Sequence, residues 1–119
     1  MKSPTLRYAT AAALMIVAGQ VWAHAKPTRL NPPAEAVVPS ADEVSIDFSE
    51  TLEPALSSIA VLAADGRQVS PAHADVDAKN GKTLHVALPV LAPGRYQVQW
   101  VAVATDGHRT QGQYAFTVK

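Results

Sequence analysis

Beyond residue 23 the hydrophobic residues recur at every second position, and that period limits the chain to strands. Val44, Ile46 and Phe48 share one parity while Ser45, Asp47 and Ser49 take the other, so one face of the segment is buried and the other wet. The alternation returns in Leu84, Val86 and Leu88 against Thr83, His85 and Ala87. It returns again in Tyr96, Val98, Trp100 and Ala102 against Gln97 and Gln99, and in Tyr114, Phe116 and Val118 against Ala115 and Thr117. Prolines at 27, 32, 33, 39, 54, 71, 89 and 93 interrupt every stretch long enough for a helix, because each lacks the N–H that a helix interior uses. These patterns predict an all-β domain.

Turn signals divide the strands. Asp65-Gly66 ends a candidate strand over residues 57–63, with residues 67–70 running back as its partner, and Asn80-Gly81 precedes the strand over residues 83–88. Pro93-Gly94 opens the strand over residues 95–104, whose second half is apolar on both parities through Val101 and Val103, as expected where cover lies on both faces. Thr105-Asp106-Gly107-His108 closes a last hairpin, and the proline-rich residues 31–39 read as an extended loop. Six or seven short strands so spaced predict a small Greek-key β-sandwich, immunoglobulin-like or a cupredoxin-like barrel, with a strand order that the pattern does not encode.

The first 23 residues follow a different grammar. Lys2 and Arg7 precede an apolar run over residues 9–19, then Gln20 and the small-residue site Val21-Trp22-Ala23, the order of a cleaved secretory signal. The run is shorter than the roughly 18 residues of a membrane span, so an uncleaved anchor is the weaker reading and no membrane span is expected after cleavage. Cleavage after Ala23 divides the 119 residues into a signal, 1–23, and a single domain, 24–119. Ala23-His24-Ala25 is itself a small-x-small triplet, so cleavage after Ala25 is the competing site.

Eight basic residues then face ten acidic ones, a net charge of about −2 with no basic stripe, and nucleic-acid binding is disfavoured. Cysteine is absent, and Met1 and Met15 both leave with the signal. The domain holds by packing alone, and its candidate metal ligands reduce to imidazole, carboxylate and terminal amine.

Cleavage after Ala23 makes His24 the first residue, able to chelate one ion through its α-amine and its imidazole. Such a pair suits copper(II), which takes tetragonal nitrogen and oxygen ligands and heads the divalent affinity order. The amine must lose its proton to bind, so affinity falls in acid. At the other end stands Asp106-Gly107-His108, two ligand-type side chains about a flexible glycine. Alone, that triplet is weak evidence, because Asp-Gly is a common turn. His73 and His85 read as surface imidazoles, and Trp100 as core or pocket wall.

Several blocks together resemble CopC-type periplasmic copper proteins: His24-Ala25 after the signal, Asn31-Pro32-Pro33-Ala34, VSIDFSE at 44–50, LAPGRYQVQW at 91–100 and TDGHRTQGQYAFTV at 105–118. The resemblance covers the whole domain. It implies a histidine-brace copper(II) site in which His24 supplies amine and imidazole, His108 a second imidazole and Asp106 a carboxylate. It also places Glu50 beside the site, where its carboxylate accepts a hydrogen bond from the amine or a ligand ring; Glu53 is a nearby competitor for that role. Some members carry a methionine-rich copper(I) site, a pattern from which this chain departs by having no methionine after the signal.

The expected function is a periplasmic copper(II) carrier or buffer in copper homeostasis and resistance, not an enzyme, working by resemblance beside a CopD-type inner-membrane protein. Two other classes compete. A histidine-brace oxidative enzyme shares the ligand set, but Asp106 occupies a position that oxygen chemistry needs open. A metal-independent interaction module shares the fold, and only the site separates it from a carrier.

Overall fold

The structure, a computed structural model, describes residues 24–119; the expected signal over residues 1–23 lies outside the described residues. Eight strands run in chain order: β1 (Pro27–Asn31), β2 (Val37–Val38), β3 (Glu43–Phe48), β4 (Ser58–Leu62), β5 (Asp75–Val76), β6 (Thr83–Ala87), β7 (Gly94–Val103) and β8 (Arg109–Val118). They form two four-stranded sheets, β1-β3-β6-β5 and β2-β8-β7-β4, with no helix among the described residues.

The alternating parities become the core. Val44, Ile46 and Phe48 of β3, Leu84 and Val86 of β6, Tyr96, Val98, Trp100 and Ala102 of β7, and Phe116 and Val118 of β8 are all buried between the sheets. Each fully buried large apolar side chain contributes roughly 1.5–3 kcal/mol, which a domain without disulfides needs. His85 lies on the opposite face of β6, half-buried and paired across the sheet with Ser45 and Asp75.

β7 is interior to its sheet, and its hairpin with β8 is the longest ladder, running from Gly94 opposite Val118 to Val103 opposite Arg109. Across it Tyr96 stacks on Phe116, with centroids 5.7 Å apart. Further along, Trp100 lies directly opposite Gly112, packs edge-on against Phe48 at 5.2 Å, and fills the space a side chain at Gly112 would take. Glycine in this strand marks a close approach by the indole.

Three sequence expectations change in detail. The return over residues 67–70 is reduced to one bridge, Leu62 to Gln68, after which the buried Ser70 hydroxyl accepts from the Val61 amide at 2.9 Å in place of a ladder bond. The loop over residues 31–39 contains β2, which adds in parallel to the end of β8 with Val37 opposite Thr117. At this loop's bend Glu35 adopts a positive φ of 62° and forms a two-pronged ion pair with Arg95, at 2.8 and 2.9 Å. Cover over the end of β7 is partial: Val103 is buried and Val101 only half-buried. A segment after β3 pairs along the edge of this end of β7, where Leu52 bridges to Ala104, the Glu53 amide donates to the Val103 carbonyl, and the buried Ser57 hydroxyl accepts from the Val103 amide at 3.1 Å.

Candidate metal centre

The β7–β8 turn and the start of the domain meet at one end of the sandwich. Antiparallel pairing sets Pro27 opposite Phe48, so residues 24–26 pass the outgoing end of β3. The turn at 104–108 is tight: the Ala104 amide donates to the His108 carbonyl at 2.9 Å, and Gly107 sits at φ 89°, where a side chain would be strained. Within it the His108 amide donates to Asp106 Oδ1 at 3.0 Å, and His108 Nδ1 lies 3.0 Å from Asp106 Oδ2. The amide first, and the imidazole second, hold the Asp106 carboxyl below the usual carboxylate range.

His24 completes the group. Its exposed ring stands edge-on to the His108 ring, with centroids 5.7 Å apart and planes at 87°. Two imidazoles bound to one ion have centroids between roughly 4.4 Å (adjacent) and 6.3 Å (opposite), given metal–nitrogen distances of about 2.0 Å. Adjacent ligands on a tetragonal ion stand about 2.8 Å apart, close to the separation of His108 Nδ1 from Asp106 Oδ2. These pair spacings suit a shared ion, although among the described residues no three His, Cys, Asp or Glu side chains stand as a complete metal cluster. In the uncut chain the His24 nitrogen is a peptide amide, and the described side chains offer two imidazoles and one carboxylate.

Glu50 is half-buried between Ser49 and Thr51, whose carbonyl accepts from the Thr105 amide at 3.0 Å. It is Ser49 that bonds the incoming chain: its hydroxyl accepts from the Lys26 amide at 3.0 Å and donates to the His24 carbonyl at 3.3 Å. From the other sheet the Thr110 hydroxyl donates to the Ala25 carbonyl at 2.8 Å. Sequence reasoning missed both residues. A hydroxyl in an alternating strand reads as solvent-facing, and nothing local to Ser49 or Thr110 announces a partner so far away along the chain. His73 is exposed in a pocket with Asp75, and His85 belongs to the outer face of β6, so neither joins this rim.

The family signature described as CopC domain matches residues 28–119. The chain belongs to the CopC family. Protein YobA of Escherichia coli (strain K12) is 36% identical over 118 residues, covering 97% of this chain and 95% of that protein. Copper resistance protein C of Escherichia coli is 31% identical over 118 residues, covering 92% and 93%. Among solved structures, CopC from Methylosinus trichosporium OB3b superposes with a TM-score of 0.76 at 33% identity, covering 81% of this chain and 94% of that one. PcoC, described as a methionine-rich copper resistance protein from Escherichia coli, gives 0.72 at 27% identity, covering 82% and 100%. This CopC-family chain has no methionine beyond Met15. The signature match starts at residue 28, after His24, so the placing of His24 rests on the geometry of the rim.

Proposed function

We propose that this chain is a periplasmic copper(II) carrier or buffer in copper homeostasis and resistance, cleaved after Ala23 and holding one ion in a histidine brace. The observation that carries the reading is the approach of His24 to His108, which itself lies against Asp106, so that ligand types from the two ends of the domain reach one rim at pair spacings compatible with a common ion. His24 supplies its new α-amine and its imidazole, His108 a second imidazole and Asp106 a carboxylate. Glu50, next after Ser49, would accept a hydrogen bond from the amine or a ligand ring. The relatives named for copper resistance support copper as cargo. The absence of cysteine and of methionine after Met15 favours the divalent ion, since copper(I) prefers sulfur.

The cleavage site has structural support. Ala25 is 1% exposed and belongs to the hydrophobic core, so cutting after it would discard a packed residue along with the chelate, whereas cutting after Ala23 leaves the domain intact. The role needs no catalytic residue, and among the described residues no helix is long and apolar enough to cross a membrane. Transfer to or from a CopD-type inner-membrane protein fits a carrier whose ligands lie on an open rim.

The test combines mass spectrometry of the exported protein with copper(II) affinity. The mature chain should begin at His24, and His24→Ala or His108→Ala should weaken copper(II) binding by orders of magnitude. Undiminished affinity in both variants would leave a metal-independent interaction module. Rapid peroxide production by the copper-loaded, ascorbate-reduced protein would point to the oxidative enzyme.

A further inference from the structure

We propose that Ser49 and Thr110 are positioning residues that clasp the first three residues of the domain onto the rim and hold His24 against His108 before copper arrives. The inference rests on the copper site proposed above and concerns what prepares it. Chain ends fray unless something ties them down, and here the end itself would carry two of the ligand nitrogens. Residues 24–26 precede β1, and of their backbone only the Lys26 carbonyl extends its pairing with the β3 segment.

Their polar groups are nevertheless bonded one after another. The His24 carbonyl accepts from Ser49 Oγ, the Ala25 carbonyl from Thr110 Oγ1, the Lys26 amide donates to Ser49 Oγ, and the Lys26 carbonyl accepts from the Ser49 amide at 2.9 Å. The Ala25 methyl between them is buried in the core. Ser49 follows β3 in one sheet and Thr110 lies in β8 of the other, so the segment is strapped across the mouth of the sandwich. The Thr110 bond, at 2.8 Å, has the ideal length for a hydroxyl donor, while the 3.3 Å Ser49 bond is long. Thr110 thus makes the better single bond, and Ser49 holds the strap at two points, through the His24 carbonyl and the Lys26 amide.

When only a fraction of the free protein holds a binding-competent arrangement, the apparent Kd rises by the inverse of that fraction. Loss of a clasp hydroxyl lowers the fraction without removing a ligand. Thr110→Val should raise the apparent copper(II) Kd about 3- to 10-fold, the range of one net hydrogen bond, and Ser49→Ala, which removes two bonds, at least as much. Thr110→Ser should restore wild-type affinity. The electron paramagnetic resonance spectrum of each fully loaded variant should match wild type, because the ligands are unchanged. In the metal-free protein, hydrogen exchange at the Lys26 amide should accelerate in Ser49→Ala.

Thr83→Val controls for general destabilisation, as it removes a hydroxyl bond to Asp47 on the sheet's outer face and should leave the Kd unchanged. Wild type and His108→Ala are measured alongside. If wild type binds copper through His108 and both clasp variants bind as tightly as wild type, the positioning role is wrong. If wild type shows no His108-dependent binding, the copper site itself is wrong, and the exchange rate of the Lys26 amide still reports whether the strap exists.

Discussion

Replacing Gly112 by alanine tests the packing that underlies the rim. A Cβ at this position would stand 2.5 Å from Trp100 Cζ2 and 2.8 Å from Cε2, well inside contact distance, and the indole has little room to retreat because its other side meets Phe48. Overpacking of this kind costs about 1–3 kcal/mol. Alanine recovers about 0.4–1 kcal/mol by restricting the unfolded chain, leaving a net loss of about 1–2 kcal/mol. For a domain of this size each kcal/mol lowers Tm by about 4–8 °C, so Gly112→Ala should melt roughly 10 °C below wild type.

Urea unfolding of the metal-free protein, followed by near-ultraviolet circular dichroism of the tryptophan, measures both the loss and the ring's displacement. The same substitution in a Trp100→Leu background should be neutral or slightly stabilising, and the double-mutant cycle isolates the steric clash from every other effect of the added methyl. Gly112→Ala as stable as wild type, with an unchanged tryptophan signal, would refute the reasoning. Phe48 directly precedes Ser49, so a displaced indole is also expected to disturb the strap over residues 24–26.

Ser70→Ala should cost about 1–3 kcal/mol by urea denaturation, because the Val61 amide it leaves behind is buried and loses its acceptor; a change below half a kcal/mol would mean that the amide finds another partner. The Glu35–Arg95 pair predicts an acid-sensitive increment of stability. Hydrogen bonding and then charge attraction from Arg95 lower the Glu35 carboxyl from its ordinary 4.5. The increment is therefore complete above that value and lost as pH falls through the lowered one. Melting temperatures of wild type and Glu35→Gln should differ near neutrality and converge below pH 4.5, and a gap that persists in acid would show that the ion pair contributes nothing.

Most of the architecture was legible because four strands carry their burial in alternation: β3, β6, β7 and β8 all emerge where the parity changes. The two-residue strands β2 and β5 were not, since two residues hold no period, and β2 depends on the distant end of β8 for every ladder bond. The return over residues 67–70 does run back beside β4, but it forms one bridge and no full strand, because Ser70 offers its hydroxyl to the Val61 amide where a backbone acceptor would stand. At the rim, His24, Asp106 and His108 could be singled out by ligand chemistry and family resemblance; the structure sets His24 near His108 and His108 against Asp106, without the three side chains forming a metal cluster among the described residues. Ser49 and Thr110 were illegible because a hydroxyl bond to a carbonyl in another segment leaves no trace in either local sequence.

The direction of β8 settles how the molecule can be handled. It leaves the rim at Arg109 and ends at Val118, ten residues and about 30 Å away at the usual rise of a strand, where the Lys119 amide is bonded to the Val38 carbonyl. His24 and Lys119 thus lie toward opposite poles of the described residues. A fluorophore, affinity tag or electrode linker attached past Lys119 would leave the proposed ligands facing solution in a uniform orientation, while even one extra residue ahead of His24 would keep the proposed chelating amine an amide.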